Sequence, residues 1–176
     1  MTDDTRENQA SNPSDSGPEN ASDEIDLSKF EWNLVVRTTT ADDFEPLMEM
    51  QKKCFQGMPL WTTEQLASQL ERFPEGQFVV ECDGKVIASC SGLLVNYDDN
   101  LEWHNWQKMA NGGFIRNHVP GGDTLYGIEI MVDPDYRGMR LSHRLYQARK
   151  DLCRRMNVAR IIVGGRIPNY HKHADK

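Results

Sequence analysis

The residues best suited to binding chemistry lie in 133–156, DPDYRGMRLSHRLYQARKDLCRRM, which predicts a turn followed by a helix. The start of this helix carries four basic side chains: Arg137, Arg140, His143 and Arg144. No acidic residue follows Asp135 until Asp151, although acids normally gather at the positive N-terminal end of a helix. Unpaired N–H groups at such an end bind anions. The pattern indicates a ligand that carries phosphate groups, with a solvated basic surface as the alternative.

The same helix has a predicted buried face and further bases towards its end. The apolar stripe consists of Leu141, Leu145, Ala148, Leu152 and Met156. The later bases are Arg149, Lys150, Arg154 and Arg155. We interpret these later bases as a solvated surface that favours the negative C-terminal end of the helix. The binding chemistry is therefore assigned to the start of the helix.

The turn before the helix matches neither of two common phosphate loops. A Walker loop needs G-x-x-x-x-G-K-[ST], and a dinucleotide fingerprint needs three spaced glycines, whereas only Gly138 is present. Residues 132–142, V-D-P-D-Y-R-G-M-R-L-S, instead resemble motif A of the GNAT family of acetyl-CoA-dependent N-acyltransferases. That motif has a strand ending in V-x-P, a turn close to R-G-x-G-hydrophobic-G, and a basic amphipathic helix. The resemblance covers about residues 33–165.

The resemblance implies a site for acetyl-CoA, the acyl donor. Backbone amides over the turn and helix start would hold the pyrophosphate: Arg137, Gly138, Met139, Arg140, Leu141 and Ser142. The backbone of Met131 and Val132 would pair with the pantetheine arm where two strands splay apart. Arg140 and Ser142 replace the second and third glycines of the motif, and Asp135 stands where the family prefers Gln or Arg. Arg140 then either compensates with its charge or marks weaker or altered cofactor binding.

Glu129 is the candidate general base, because it is the one charged residue in the strand TLYGIEIMV over 124–132. The resemblance implies a carboxylate near this strand that takes a proton from the attacking amine, directly or through water. The alternatives for Glu129 are a structural or substrate-binding role, or pairing with an arginine. Tyr170 lies in the region where the family often has its proton donor, but its spacing matches no defined motif. His171 and His173 could suggest a metal, but we predict none.

The remaining chain supplies the elements that would position this site. Apolar periodicity and turn residues predict strands over 30–38, 77–82, 85–95, 124–132 and 159–165, and helices over 41–55, 62–73 and 141–156. Asp83-Gly84 is the hairpin signal. Residues 96–123 are predicted to be an irregular loop, whose Trp103, His104 and Trp106 line either an acceptor pocket, a partner surface or the loop itself. The predicted fold class is α/β: a GNAT-like mixed, mostly antiparallel central sheet flanked by helices, apparently truncated after the fifth strand.

The charge of the chain is concentrated in one segment. Residues 1–30 hold eight acidic and two basic residues, so this segment accounts for nearly all of the net charge of -7. We predict a disordered acidic tail over 1–30 and a C-terminally incomplete GNAT domain over 31–176. The nearly neutral domain argues against a nucleic-acid partner, and the absence of a long apolar run argues against a membrane. The four cysteines form no C-x-x-C pair and indicate buried thiols in a reduced cytosol.

The sequence also resembles the N-terminal part of bacterial proteins that fuse a GNAT domain to a carbon–nitrogen hydrolase domain. The stretches that carry this resemblance are 128–142 and 160–176. Nothing of the hydrolase is present in these 176 residues, so a fused hydrolase is an expected partner absent from this chain. Two functions therefore stay open: an acyltransferase acting on a small-molecule or peptide amine, and a non-catalytic acyl-CoA-binding module that regulates the hydrolase.

Overall fold

The computed structural model describes residues 32–98 and 105–165. The predicted acidic tail lies outside the described residues, as do Trp103, His104, Tyr170, His171 and His173. Among the described residues, no helix is both long and apolar enough to cross a bilayer.

Apart from one short added helix, the strands and helices follow one another in the predicted order. The strands are β1 Leu34–Thr38, β2 Phe78–Cys82, β3 Lys85–Val95, β4 Thr124–Val132 and β5 Arg160–Val163. The helices are α1 Phe44–Cys54, α2 Thr63–Arg72, α3 Trp106–Met109 and α4 Leu141–Met156. Short 3-10 turns occupy Ala41–Asp43, Pro74–Gly76, Asn111–Gly113 and Pro134–Tyr136. The loop predicted to be irregular thus contains one short helix, and β1 begins four residues later than predicted.

Within the described chain, the strands form one sheet in sequential order, β1-β2-β3-β4-β5. The pairs from β1 to β4 are antiparallel, whereas β4 and β5 are parallel and are joined through α4. This mixed α/β sheet with flanking helices confirms the predicted fold class. The parallel pair ends early: Gly127 opposite Val163 is its last partnership, so β4 continues for five residues without β5 beside it.

Local sequence signals explain several boundaries. Asp83 and Gly84 take φ values of 49° and 82°, the left-handed pair that a tight hairpin turn requires. Thr62 caps α2 through a capping box: its hydroxyl accepts from the Gln65 N–H at 3.2 Å, and its own N–H donates to Gln65 Oε1 at 2.8 Å. These local contacts fix where the elements start, and the buried apolar core fixes how they pack.

The face of α4 that packs on the sheet differs from the predicted stripe at two positions. Leu141, Leu145 and Leu152 are almost fully buried, as predicted. Met156, the last residue of the helix, is 40% exposed. Arg149 is only 1% exposed, so its interpretation as part of a solvated basic surface is wrong. The spacing from Leu145 to Arg149 and on to Leu152 places the guanidinium on the core side of the helix.

Candidate active site

A bulge in β4 forms the centre of the candidate site. In the register with β3, Ser91 opposes Glu129 and Gly92 opposes Gly127, so Ile128 is an extra residue on β4. Its carbonyl oxygen accepts a hydrogen bond from Trp106 Nε1 at 3.0 Å. Such a bulge bends a strand and redirects its side chains. The bulge lies directly after the last residue that pairs with β5, so the bend coincides with the point at which β4 loses its β5 partner.

The carboxyl group of Glu129 projects into a narrow cavity beneath α1 and α2. One of its oxygens, Oε1, accepts from Ser89 Oγ at 3.2 Å and from Ser91 Oγ at 3.5 Å. The other oxygen, Oε2, is buried without a hydrogen-bond partner among the described residues. Apolar side chains supply most of the wall: Phe44, Leu47, Trp61, Leu66, Phe78 and Met131. The cavity is therefore mostly apolar, and two of its polar side chains, Ser89 and Ser91, bind the carboxyl of Glu129.

This environment raises the pKa of Glu129 to about 7. Burial is the main cause, because an apolar cavity disfavours the charged form. The positive charge of Arg149 and the hydroxyls of Ser89 and Ser91 act in the opposite direction, towards a lower pKa. A carboxyl that titrates near neutral pH can both accept and return a proton, which suits a general base.

The turn and the start of α4 lie beyond the C-terminal end of β4. Gly138 has a φ of 89° and Arg140 a φ of 56°, so both take the left-handed conformation. An arginine there is strained by roughly 1–2 kcal/mol, because its Cβ crowds the backbone. The first intrahelical bond runs from the Arg144 N–H to the Arg140 carbonyl, which leaves the earlier amides of α4 without intrahelical acceptors. Arg140 thus adopts, with strain, the left-handed backbone conformation that the glycine of the motif would adopt without strain.

The turn is anchored to α1 by a buried carboxylate. Asp133, 2% exposed, accepts from Lys53 Nζ at 3.0 Å and from the Asp135 N–H at 3.1 Å. Burial is the largest single influence and would raise the pKa of Asp133, but the hydrogen bonds from Lys53 and the Asp135 N–H and the charges of Lys53 and Lys85 together lower it. Nearby, Cys54 Sγ donates to the Val132 carbonyl at 3.2 Å. These contacts hold the start of the turn against the end of α1.

The residues predicted from the sequence occupy one continuous path. Glu129 and Met131 line the cavity, Val132 ends the part of β4 that has no β5 partner, and the turn follows. In the turn, the side chains of Arg137, Arg140 and Ser142 are exposed, whereas Leu141 is buried. Met139 is half-buried beside the core. The occupants of this path stay a prediction.

Several neighbours of Glu129 were missed by sequence reasoning: Ser89, Ser91, Trp106 as a partner of the bulge, and Arg149. The serines come from β3, whose register with β4 depends on a bulge that no local pattern reveals. A signal did exist for Arg149, since it falls at the core-facing spacing of α4.

The family model described as "Acetyltransferase (GNAT) family" matches residues 44–174. The chain belongs to the GNAT family. Two proteins of Bacillus subtilis (strain 168) are similar to it. The probable hydrolase YhcX is 51% identical over 155 residues, which is 88% of this chain and 30% of that protein. The uncharacterized N-acetyltransferase YkwB is 37% identical over 153 residues, which is 85% of this chain and 67% of that protein.

The fold has counterparts among solved structures. The GNAT-like decarboxylase GphF, solved in complex with isobutyryl-CoA, aligns with a TM-score of 0.67 and 16% identity over 80% of this chain and 70% of that one. At this identity the likeness shows the GNAT fold alone. The chain spans less than a third of the length of YhcX, in agreement with its resemblance to the acetyltransferase part of a longer fusion protein.

Proposed function

We propose that this GNAT domain transfers an acyl group from acyl-CoA, with acetyl-CoA as the first candidate, to the amine of a small molecule or peptide. The observation that carries the proposal is the carboxyl of Glu129, with its raised pKa, at the bulge where β4 continues without β5. A base of matched pKa beside a strand edge that no described residue pairs with provides both the proton acceptor and a place to align a pantetheine arm. The membership of the GNAT family supports the acyltransferase class.

The reaction needs a neutral amine next to the thioester carbonyl. As the nitrogen attacks the carbonyl carbon, Glu129 accepts the proton that the nitrogen loses. The C–S bond then breaks, the amide forms, and CoA leaves as a thiolate that takes up a proton. The apolar wall of the cavity excludes water, which disfavours hydrolysis of the thioester.

The basic start of α4 would bind the pyrophosphate of the donor. Its amides and the side chains of Arg137, Arg140 and Arg144 together create a positive end that suits a polyanion. In this proposal, the strained left-handed conformation of Arg140 is retained because it places a positively charged side chain at the turn that binds the pyrophosphate.

The function is tested by mass-spectrometric detection of acylated product and free CoA with acetyl-CoA and a panel of amines. Calorimetric titration with acetyl-CoA and CoA runs in parallel. Turnover with at least one class of amine supports the enzyme. Tight binding without any turnover would instead favour the non-catalytic acyl-CoA-binding module, and no binding would overturn both.

Replacing Arg140 separates its charge from its backbone strain. Both Arg140→Ala and Arg140→Gly should weaken CoA binding about tenfold in calorimetry, because each removes one charge-assisted contact to phosphate. The glycine variant should also be more stable than the alanine variant by about 1 kcal/mol, because glycine takes a φ of 56° without strain.

The control for this pair is Arg155→Ala at the opposite end of α4. It removes an equal charge from the same helix and should leave the CoA affinity nearly unchanged. Equal losses in all three variants would mean that only the net charge matters. Unchanged affinity in both Arg140 variants would remove Arg140 from the site.

A further inference from the structure

Arg149 is a buried cation that the proposed reaction does not yet use. It lies 1% exposed on the core face of α4, between the buried Leu145 and Leu152. Its guanidinium forms no ion pair with a carboxylate among the described residues. A charge in such a position is costly unless polar groups compensate it. Its contacts should therefore reveal what it does.

The guanidinium contacts the backbone of both strands at the bulge. Nη2 donates to the Ser91 carbonyl on β3 at 2.9 Å and to the Glu129 carbonyl on β4 at 2.7 Å. These are the two residues that face each other immediately before the register shifts. One nitrogen thus joins the two strands at the place where their regular pairing is interrupted.

The opposite side of the guanidinium reaches towards the last pair between β4 and β5. A Cβ on Gly127 would lie 3.1 Å from Arg149 Nη1 and 2.8 Å from Val163 Cγ1, so only glycine leaves room there. Nε is buried and has no acceptor among the described residues. The Arg149 side chain therefore extends beneath β4 from the β3 side to Gly127, where pairing with β5 ends.

The side chain of Glu129 points to the other face of the sheet. It contacts the hydroxyls of Ser89 and Ser91. Cys90, the residue between these serines, alternates with them along β3, and the charge of Arg149 acts on its thiol. Among the described residues, the titratable groups that interact electrostatically with Glu129 besides Arg149 from α4 are Cys54 from α1 and Cys90 from β3. Arg149 is the cation among them.

We propose that Arg149 is a positioning residue for Glu129. By holding the carbonyls of Ser91 and Glu129 it fixes the bulge, and it keeps a positive charge behind the strand that carries the carboxyl. The two effects act on one residue, since Arg149 binds the backbone carbonyl of Glu129, whose side chain carries the titrating carboxyl. The role of Glu129 as base rests on the proposed function, but the positioning itself does not.

The test is a carboxyl titration of the full chain labelled with ¹³C-glutamate. The Glu129 resonance is identified by its loss in Glu129→Gln and should titrate near pH 7 in the wild type. Arg149→Gln keeps a donor for a carbonyl but removes the charge, so the midpoint should rise by about one unit or more. Arg149→Lys retains the charge and should stay nearer the wild type. The control Arg154→Gln removes an exposed charge from the same helix and should not shift the midpoint.

A second measurement protects the test if the Arg149 variants fail to fold. In the wild-type protein, the side-chain ¹⁵N resonances of Arg149 should shift with the same midpoint as Glu129 and lose that transition in Glu129→Gln. A folded Arg149→Gln with the wild-type midpoint would overturn the proposal, as would arginine resonances that do not respond to Glu129. Neither readout uses turnover. A chain that proves inactive with every amine would therefore refute the proposed function, whereas the two NMR readouts would still decide whether Arg149 positions Glu129.

Discussion

Replacing Glu129 with glutamine should lower kcat for acyl transfer by about 10²–10⁴-fold, because the attacking amine loses its proton acceptor. Glutamine has nearly the same shape and can still accept from the hydroxyls of Ser89 and Ser91. The dissociation constant for CoA should therefore stay nearly unchanged in calorimetry. A fall in kcat without a matching loss of CoA binding is the expected pattern in steady-state kinetics.

The pH dependence gives this prediction its sharpest test. Below its pKa of about 7, Glu129 is protonated and cannot accept a proton, so the wild-type rate should rise through neutral pH and then level off. The transition near pH 7 should be missing from the residual activity of Glu129→Gln. An identical transition in the variant would show that another group is the base.

Stability supplies the control for loss of fold. Burial raises the pKa of Glu129 in the folded state, so folded protein holds this proton over a range where unfolded protein has lost it. The contribution of Glu129 to the free energy of unfolding therefore falls as pH rises from about 4.5 to 7. Glu129→Gln lacks this loss and should be at least as stable as the wild type in urea denaturation at pH 8. If the variant is destabilised, its kcat should be calculated from the folded fraction alone before it is compared with the wild type.

The elements of the fold were largely predictable because their signals are local. The bounds of α4, 141–156, and of β3, 85–95, were predicted to the residue, and the hairpin turn at Asp83-Gly84 fixed the pairing of β2 with β3. These signals consist of apolar spacing and turn residues within a few positions of one another. The start of β1 was predicted too early, because pairing with β2 begins only at Leu34.

The surroundings of Glu129 were less predictable because its contacts join distant segments. The sequence identified Glu129 as the charged residue of β4, but the hydroxyls of Ser89 and Ser91 reach it only through the β3–β4 register. Arg149 was assigned to a solvated surface together with the other late bases of α4, which favour the negative C-terminal end of a helix. Its backbone partners at the bulge are the reason that it can be buried, and that bulge has no local signature.

The wall of the cavity depends on how α1 is fixed to the sheet. Phe44 and Leu47 line the cavity beside Glu129, and both lie in the first turns of α1. The residue directly before α1 is Asp43, which Arg37 of β1 binds through both carboxylate oxygens, at 2.7 and 2.8 Å. The Thr40 N–H donates to the same carboxylate at 2.7 Å. This group therefore connects the start of α1 to the sheet.

Asp43→Asn should reduce the free energy of unfolding by about 2–3 kcal/mol, as measured by urea denaturation at pH 7. Asparagine keeps the shape but removes one of the two carboxylate charges that compensate Arg37, the other being Glu81 at 2.9 Å, and breaking a buried ion pair is strongly destabilising. The estimate is below the usual range for buried pairs because the Arg37 side chain is 31% exposed and its charge is partly solvated. Asp42→Asn, a neighbouring exposed acid, is the matched control and should change stability little.

The pH dependence of this difference follows from the direction of the Asp43 shift. Burial opposes ionisation of Asp43, but the bonds from Arg37 and Thr40 outweigh it, so its pKa is lowered on folding. The stabilisation should be complete above the ordinary pKa of about 4 and should disappear as pH falls through the lower folded value. Wild type and Asp43→Asn should therefore converge in stability in acid. A constant difference down to pH 2 would show that the pair contributes through shape alone, and the anchoring of the cavity wall by charge would be wrong.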